Sequence, residues 1–171
     1  HKEFISNFAI FHQRYSTNTF PTWSLAQPFR VLAHNGEINT IQGNTNWSII
    51  HESKMFSEDL GENIKEVFPI IQDGASDSAA LDSFYELLLN CGKDLPMIKA
   101  LTIPEAKNNN QTKKVSNFFE YCYSVLEPWD GPAAIAAYGN DWVIAGMDRN
   151  GFRPMRYTIT KNNILFVGSE T

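Results

Sequence analysis

Cysteine is nearly absent: Cys91 and Cys122 are the two thiols among 171 residues. Two cysteines cannot build a disulfide framework, and neither has the paired C-x-x-C spacing of a structural zinc site. That scarcity, with no signal-peptide pattern, fits a reducing compartment, so the cytoplasm is the expected location. No apolar run approaches the roughly 18–20 residues that cross a bilayer, and no membrane partner is expected. Charge is sparse as well. Charged residues make up 19% of the chain, 14 Lys+Arg against 19 Asp+Glu, for a net charge of −5. No basic stripe emerges, which argues against a nucleic-acid partner. The sequence has no internal repeat, no long low-complexity segment, no phosphate loop and no G-x-G-x-x-G. His12, His34 and His51 lack ligand spacing, so no metal is expected.

What is present is apolar and aromatic: 43% hydrophobic residues and 13% Phe, Trp and Tyr. A domain of this size buries roughly 70% of its unfolded surface, enough for a core without staples. Residues 8–12 form an apolar run that reads as a strand buried on both faces. Residues 31–34 read as a second strand, stopped by Asn35-Gly36. A helix over 39–52 is predicted despite Gly43, with Trp47 and Ile50 on one face. Leu81, Phe84, Tyr85, Leu88 and Leu89 recur at helical spacing over 78–90, with Gly92 just past the end. Helices follow over 94–101, capped by Asp94, and over 112–126, with an apolar stripe through Cys122. The period then changes to that of strands: 133–138, 142–148, 155–160 and 164–168, separated by Gly and Asn turns, predict one antiparallel meander. The order predicts an α+β domain with helices layered on antiparallel sheet. The chain starts at His1 rather than Met and stops directly after an apolar run, so a piece of a longer polypeptide is expected.

Four short segments hold more polar groups than their structural roles require. Arg14, within His12–Thr19, can offer a planar fork to a carboxylate or anchor its loop to backbone carbonyls. Asn35-Gly36 ends a strand, placing an amide side chain beside an unobstructed backbone N–H; the pair suits either a tight turn or an oxyanion hole. Ser76-Asp77-Ser78 precedes the strongest helix as an ordinary N-cap, or aims a carboxylate at an ammonium. In 148–154, Asn150-Gly151 makes a turn, and Arg149 and Arg153 serve structure or enter a buried network. A carboxylate partner, an oxyanion site and an ammonium partner together match an α-amino acid with a reactive side-chain carbonyl. Neither cysteine suits a nucleophile, because both fall at or near apolar helix faces.

The segments 12–21, 32–40 and 76–78 resemble those of the class II glutamine amidotransferases. Segments 103–106, 127–133 and 148–154 look like one branch of that family, in which the domain is part of a larger synthase. The resemblance implies an N-terminal-nucleophile hydrolase fold, an αββα four-layer sandwich, here incomplete at both ends. It implies a cysteine thioester that hydrolyses L-glutamine, with ammonia channelled to 2-oxoglutarate in a portion carrying FMN and an iron–sulfur cluster. No cofactor is implied for these residues themselves. Partners implied are the remaining synthase portions and a small electron-donating subunit or ferredoxin. Carried onto this chain, Arg14 and Thr17 bind the α-carboxylate, Asn35 and Gly36 form the oxyanion hole, and Asp77 holds the α-ammonium. The nucleophilic cysteine has no counterpart at residue 1, so these 171 residues alone are expected not to hydrolyse glutamine. A catalytically silent amino-acid-binding module is the competing expectation.

Overall fold

A computed structural model describes residues 2, 3, 5–13 and 20–169. Five strands and four α-helices occur in the described residues: β1 (Leu32–Gly36), α1 (Ile41–Glu52), α2 (Asp77–Asn90), α3 (Leu95–Thr102), α4 (Lys113–Val125), β2 (Ala133–Gly139), β3 (Trp142–Met147), β4 (Arg156–Ile159) and β5 (Leu165–Gly168). Helix starts follow local chemistry. The side chains of Ser76, Asp94 and Thr112 accept hydrogen bonds from the N–H groups of Ala79, Met97 and Val115, which otherwise lack a helical partner.

β1, β2 and β3 form one antiparallel sheet in that order, while β4 and β5 pair separately. The single meander expected from the sequence is therefore broken between β3 and β4. The cause lies in Asp148, whose carboxylate draws in the N–H groups of Asn150, Phe152 and Arg153 at 2.8–3.0 Å. Pro154 then offers no N–H to a ladder. β1 pairs instead on the far side of β2, with Ala33 opposite Ala136 and Asn35 opposite Ala134. Residues 8–12 are not a buried strand: they carry no ladder, and Phe11 is 71% exposed. The Phe8 ring packs tilted against Tyr138 and His12 Nε2 meets the His34 carbonyl, so this run lies against the sheet without pairing.

α2 and α3 pack on the three-stranded sheet. Leu81, Phe84 and Tyr85 of α2, Leu95 and Ile98 of α3, and Leu32, Ile135 and Trp129 make one continuous core. α1 inverts expectation: its buried residues are Asn44 and Ser48, while Trp47 and Ile50 stand about half exposed. Asn44 is drawn inward because its amide reaches the Pro128 carbonyl and its oxygen accepts from Thr40. The predicted stripe of α4 is likewise shallow, with Cys122 its buried residue. Tyr157, Ile159, Leu165 and Phe166 of the β4–β5 pair are also exposed.

Candidate functional site

α2 carries two stripes. The apolar stripe enters the core; a polar stripe, Ser78, Asp82 and Glu86 at four-residue spacing, runs along β1. Glu86 meets Arg30 at 3.0 Å, on the surface. The Asp82 carboxylate accepts from the N–H groups of Val31 and Leu32 at 2.9 Å and of Arg30 at 3.3 Å. Burial pushes the Asp82 carboxyl up, and those three N–H groups oppose the shift without cancelling it. Ser78 Oγ meets His34 Nδ1 at 2.7 Å. One residue earlier, Asp77 accepts from the Ile38 N–H at 2.8 Å through one carboxylate oxygen and from the Ser78 N–H through the other. The N-terminus of α2 is thus fastened to residues 34 and 38, on either side of Asn35-Gly36.

The strand register then determines where Gly36 points. Tyr138 N–H donates to Val31 and Glu37 N–H to Pro132, so odd-numbered residues face β2. Even-numbered residues face the outer edge: His34 donates its N–H to Gln27 Oε1 and accepts from His12 there. The Gly36 N–H lies on that outer edge by the same alternation. Gly36 itself has φ +148°, and a Cβ on it would stand 1.8 Å from the Pro132 carbonyl oxygen. Its counterpart Gly131, also at φ +148°, would place a Cβ 2.0 Å from the Glu37 carbonyl oxygen. The 36–39 and 130–132 segments therefore run backbone against backbone, closed further by Asn39 N–H to the Asp130 carbonyl at 2.7 Å.

Asn35 is half-buried, and its amide is held at both ends. Its Nδ2 donates to Ser169 Oγ at 2.9 Å, and its Oδ1 accepts from the Arg153 guanidinium. Arg153 reaches it from the loop that Asp148 organises. Burial pushes the Asp148 carboxyl up, but four backbone N–H groups, from Arg153, Ala133, Phe152 and Asn150, outweigh burial and hold it below the usual range. His34 is buried and its pKa is lowered, chiefly by burial, against the pull of Asp77.

Of the residues singled out from sequence, Asn35, Gly36 and Asp77 come together, while Arg14 and Thr17 lie outside the described residues. Arg149 goes elsewhere, lying over the Tyr123 ring and 3.8 Å from Asp130. The contact of Arg153 with Asn35 was not foreseen, since 118 residues separate the two. The roles of Ser78 and Asp82 were also missed, although their four-residue spacing on an otherwise apolar helix was a readable signal. Neither thiol joins the site. Cys91 caps the far end of α2, about 20 Å along the helix from Asp77 at 1.5 Å per residue. Cys122 is fully buried in α4, and burial pushes its pKa up.

The family model of the class II glutamine amidotransferases matches residues 1–171. The chain is 52% identical, over 99% of its length, to the NADPH glutamate synthase large chain of Azospirillum brasilense. It is 43% identical over 98% of its length to the corresponding large chain of Bacillus subtilis. Against the ferredoxin-dependent glutamate synthase of Pyropia yezoensis it is 44% identical over its whole length. The chain spans 11% of the length of each of these relatives.

Proposed function

The chain belongs to the class II glutamine amidotransferases, and on that premise we propose that it is the glutamine-cleaving portion of a glutamate synthase. One observation carries the reading most directly. The Asn35 amide and the outward Gly36 N–H end one strand, and the Asp77 carboxylate is bonded to Ile38 just beyond. Two donors on adjacent residues suit the oxygen of a tetrahedral intermediate, and a nearby carboxylate suits an α-ammonium. In this reading a cysteine thiolate attacks the side-chain carbonyl of glutamine. The carbonyl oxygen takes the negative charge between Asn35 Nδ2 and Gly36 N–H; the C–N bond then breaks as the nitrogen receives the proton that the base took from the thiol, and ammonia leaves. Water then cleaves the thioester to release glutamate. Arg14 and Thr17 take the substrate α-carboxylate. Both Asp77 oxygens accept backbone N–H groups, which holds the carboxylate rigidly and leaves lone pairs for the ammonium.

The nucleophile in this proposal is a cysteine on another part of the polypeptide, because Cys91 lies at the far end of α2 from Asp77 and Cys122 is buried in α4. That part, with the segments needed to cover the exposed β4–β5 pair, completes a four-layer sandwich. Ammonia passes to 2-oxoglutarate in the rest of the synthase, which draws electrons from a small subunit or ferredoxin in the cytoplasm. Among the described residues no group of three or more His, Cys, Asp or Glu gathers into a metal site, and the two cysteines sit on separate helices. FMN and the cluster are assigned to the other portions.

The test is ammonia release from L-glutamine by the full-length polypeptide that carries this chain. Asn35→Ala is expected to lower kcat by about 10²–10³-fold with KM little changed, as for loss of one oxyanion donor. A folded full-length protein that binds glutamine and releases no ammonia would instead mark a silent amino-acid-binding module.

A further inference from the structure

The amide of Asn35 acts as an oxyanion donor only if its NH2, and not its oxygen, is presented to substrate. An amide flip would put a lone pair where charge develops. Among the described residues two side chains touch that amide, and they differ in what they can specify. Ser169 offers a hydroxyl, which donates or accepts equally well, so its bond at 2.9 Å is satisfied by either orientation. Arg153 offers a guanidinium, which only donates. The group facing Arg153 must therefore be Oδ1, whatever the surroundings prefer.

Arg153 is itself held in place. Its backbone N–H is bonded to Asp148 Oδ2 at 2.8 Å, and the following Pro154 restricts it to an extended backbone. Asp148 in turn accepts from Ala133 at the start of β2, the strand that pairs with β1. A short chain of bonds thus runs from the β1–β2 ladder through Asp148 to Arg153 and back to Asn35 on β1. It keeps a long side chain aimed at one oxygen.

We propose that Arg153 is a positioning residue for glutamine cleavage: it fixes the orientation of the Asn35 amide so that Nδ2 is the end offered to the oxyanion. The inference rests on the reading of Asn35 as an oxyanion donor. Arg153 touches no substrate; it acts through Asn35.

The experiment is a double-mutant cycle in the full-length polypeptide, reading kcat and KM for glutamine hydrolysis. Arg153→Met, close in length and without donors, is expected to lower kcat about ten- to a hundredfold, the range for losing a hydrogen bond to a charged group, with KM within about threefold. Arg153→Lys, still a donor, is expected to recover most of that loss. In an Asn35→Ala background, Arg153→Met is expected to change kcat by less than about twofold, because no amide remains to orient. An equal loss in both backgrounds, an unchanged kcat, or an effect confined to KM would overturn the proposal. If Arg153→Met fails to fold, Arg153→Gln decides. Its amide donates or accepts, so kcat falls if donor-only character matters and stays at the wild-type value if Arg153 merely fills space. Asn35→Ala with undiminished kcat would sink the oxyanion reading itself, separately from any result at Arg153.

Discussion

Asp148 is where one substitution should unsettle both the fold and the site. Its carboxylate accepts four backbone N–H groups, from Ala133 at 3.0 Å, Asn150 at 3.0 Å, Phe152 at 2.9 Å and Arg153 at 2.8 Å. Asp148→Ala removes all four acceptor contacts. Ala133 is fully buried, so water cannot replace its partner, and an orphaned buried N–H costs about 1–3 kcal/mol. The other three lie in a turn that is largely exposed, where water substitutes in part, at about 0.5–1 kcal/mol each. The sum is about 2.5–6 kcal/mol, a large share of the roughly 5–15 kcal/mol that stabilises a domain. Asp148→Asn keeps one acceptor oxygen and should lose less. Urea unfolding followed by circular dichroism reads the difference. The acid limb adds a second check. The folded-state pKa of Asp148 is lowered, so the unfolded chain takes up the proton first as pH drops below about 3.9, and the carboxylate's contribution is lost as pH falls through the folded-state value. The gap between wild type and Asp148→Asn should therefore narrow in acid. A cost below about 1 kcal/mol for Asp148→Ala at pH 7, or a gap that stays constant in acid, would refute this reasoning.

Three further outcomes follow from the structure. Gly36→Ala should destabilise by about 3–5 kcal/mol, combining backbone strain at φ +148° with a Cβ 1.8 Å from the Pro132 oxygen. Gly43→Ala, inside α1 with nothing within 4 Å of its Cβ, should stabilise by about 0.5–1 kcal/mol in the same urea assay. His34 is buried with a lowered pKa, so the unfolded chain binds the proton first as pH falls below about 6.5. Stability should then decline toward the folded-state pKa, by at most about 1.4 kcal/mol per pH unit. Urea midpoints from pH 7 to pH 5 should fall more steeply for wild type than for His34→Gln.

Much of this was legible in the sequence. Helix positions followed from the Asp94 cap, from the capping segment 76–78 and from the apolar spacing of Leu81, Phe84 and Tyr85, because caps and periodicity act over a few residues. The apolar run at 8–12 and the face of α1 with Trp47 and Ile50 misled for a shared reason. Composition reports what can be buried, whereas burial needs a partner, and α1 turns Asn44 inward to reach Pro128.

By itself the sequence determined the mixed helix-and-sheet class and the α2 helix behind its capping segment 76–78, and it singled out Asn35, Gly36 and Asp77, which the fold brings together. Those conclusions depend on residue chemistry and short-range spacing. The tertiary structure alone decided that β1 pairs beyond β2 and that the ladder directs the Gly36 N–H outward. It alone brought Arg153 to the Asn35 oxygen across 118 residues. Both depend on register and on Asp148 breaking the meander, where backbone groups that carry no residue identity choose partners far along the chain.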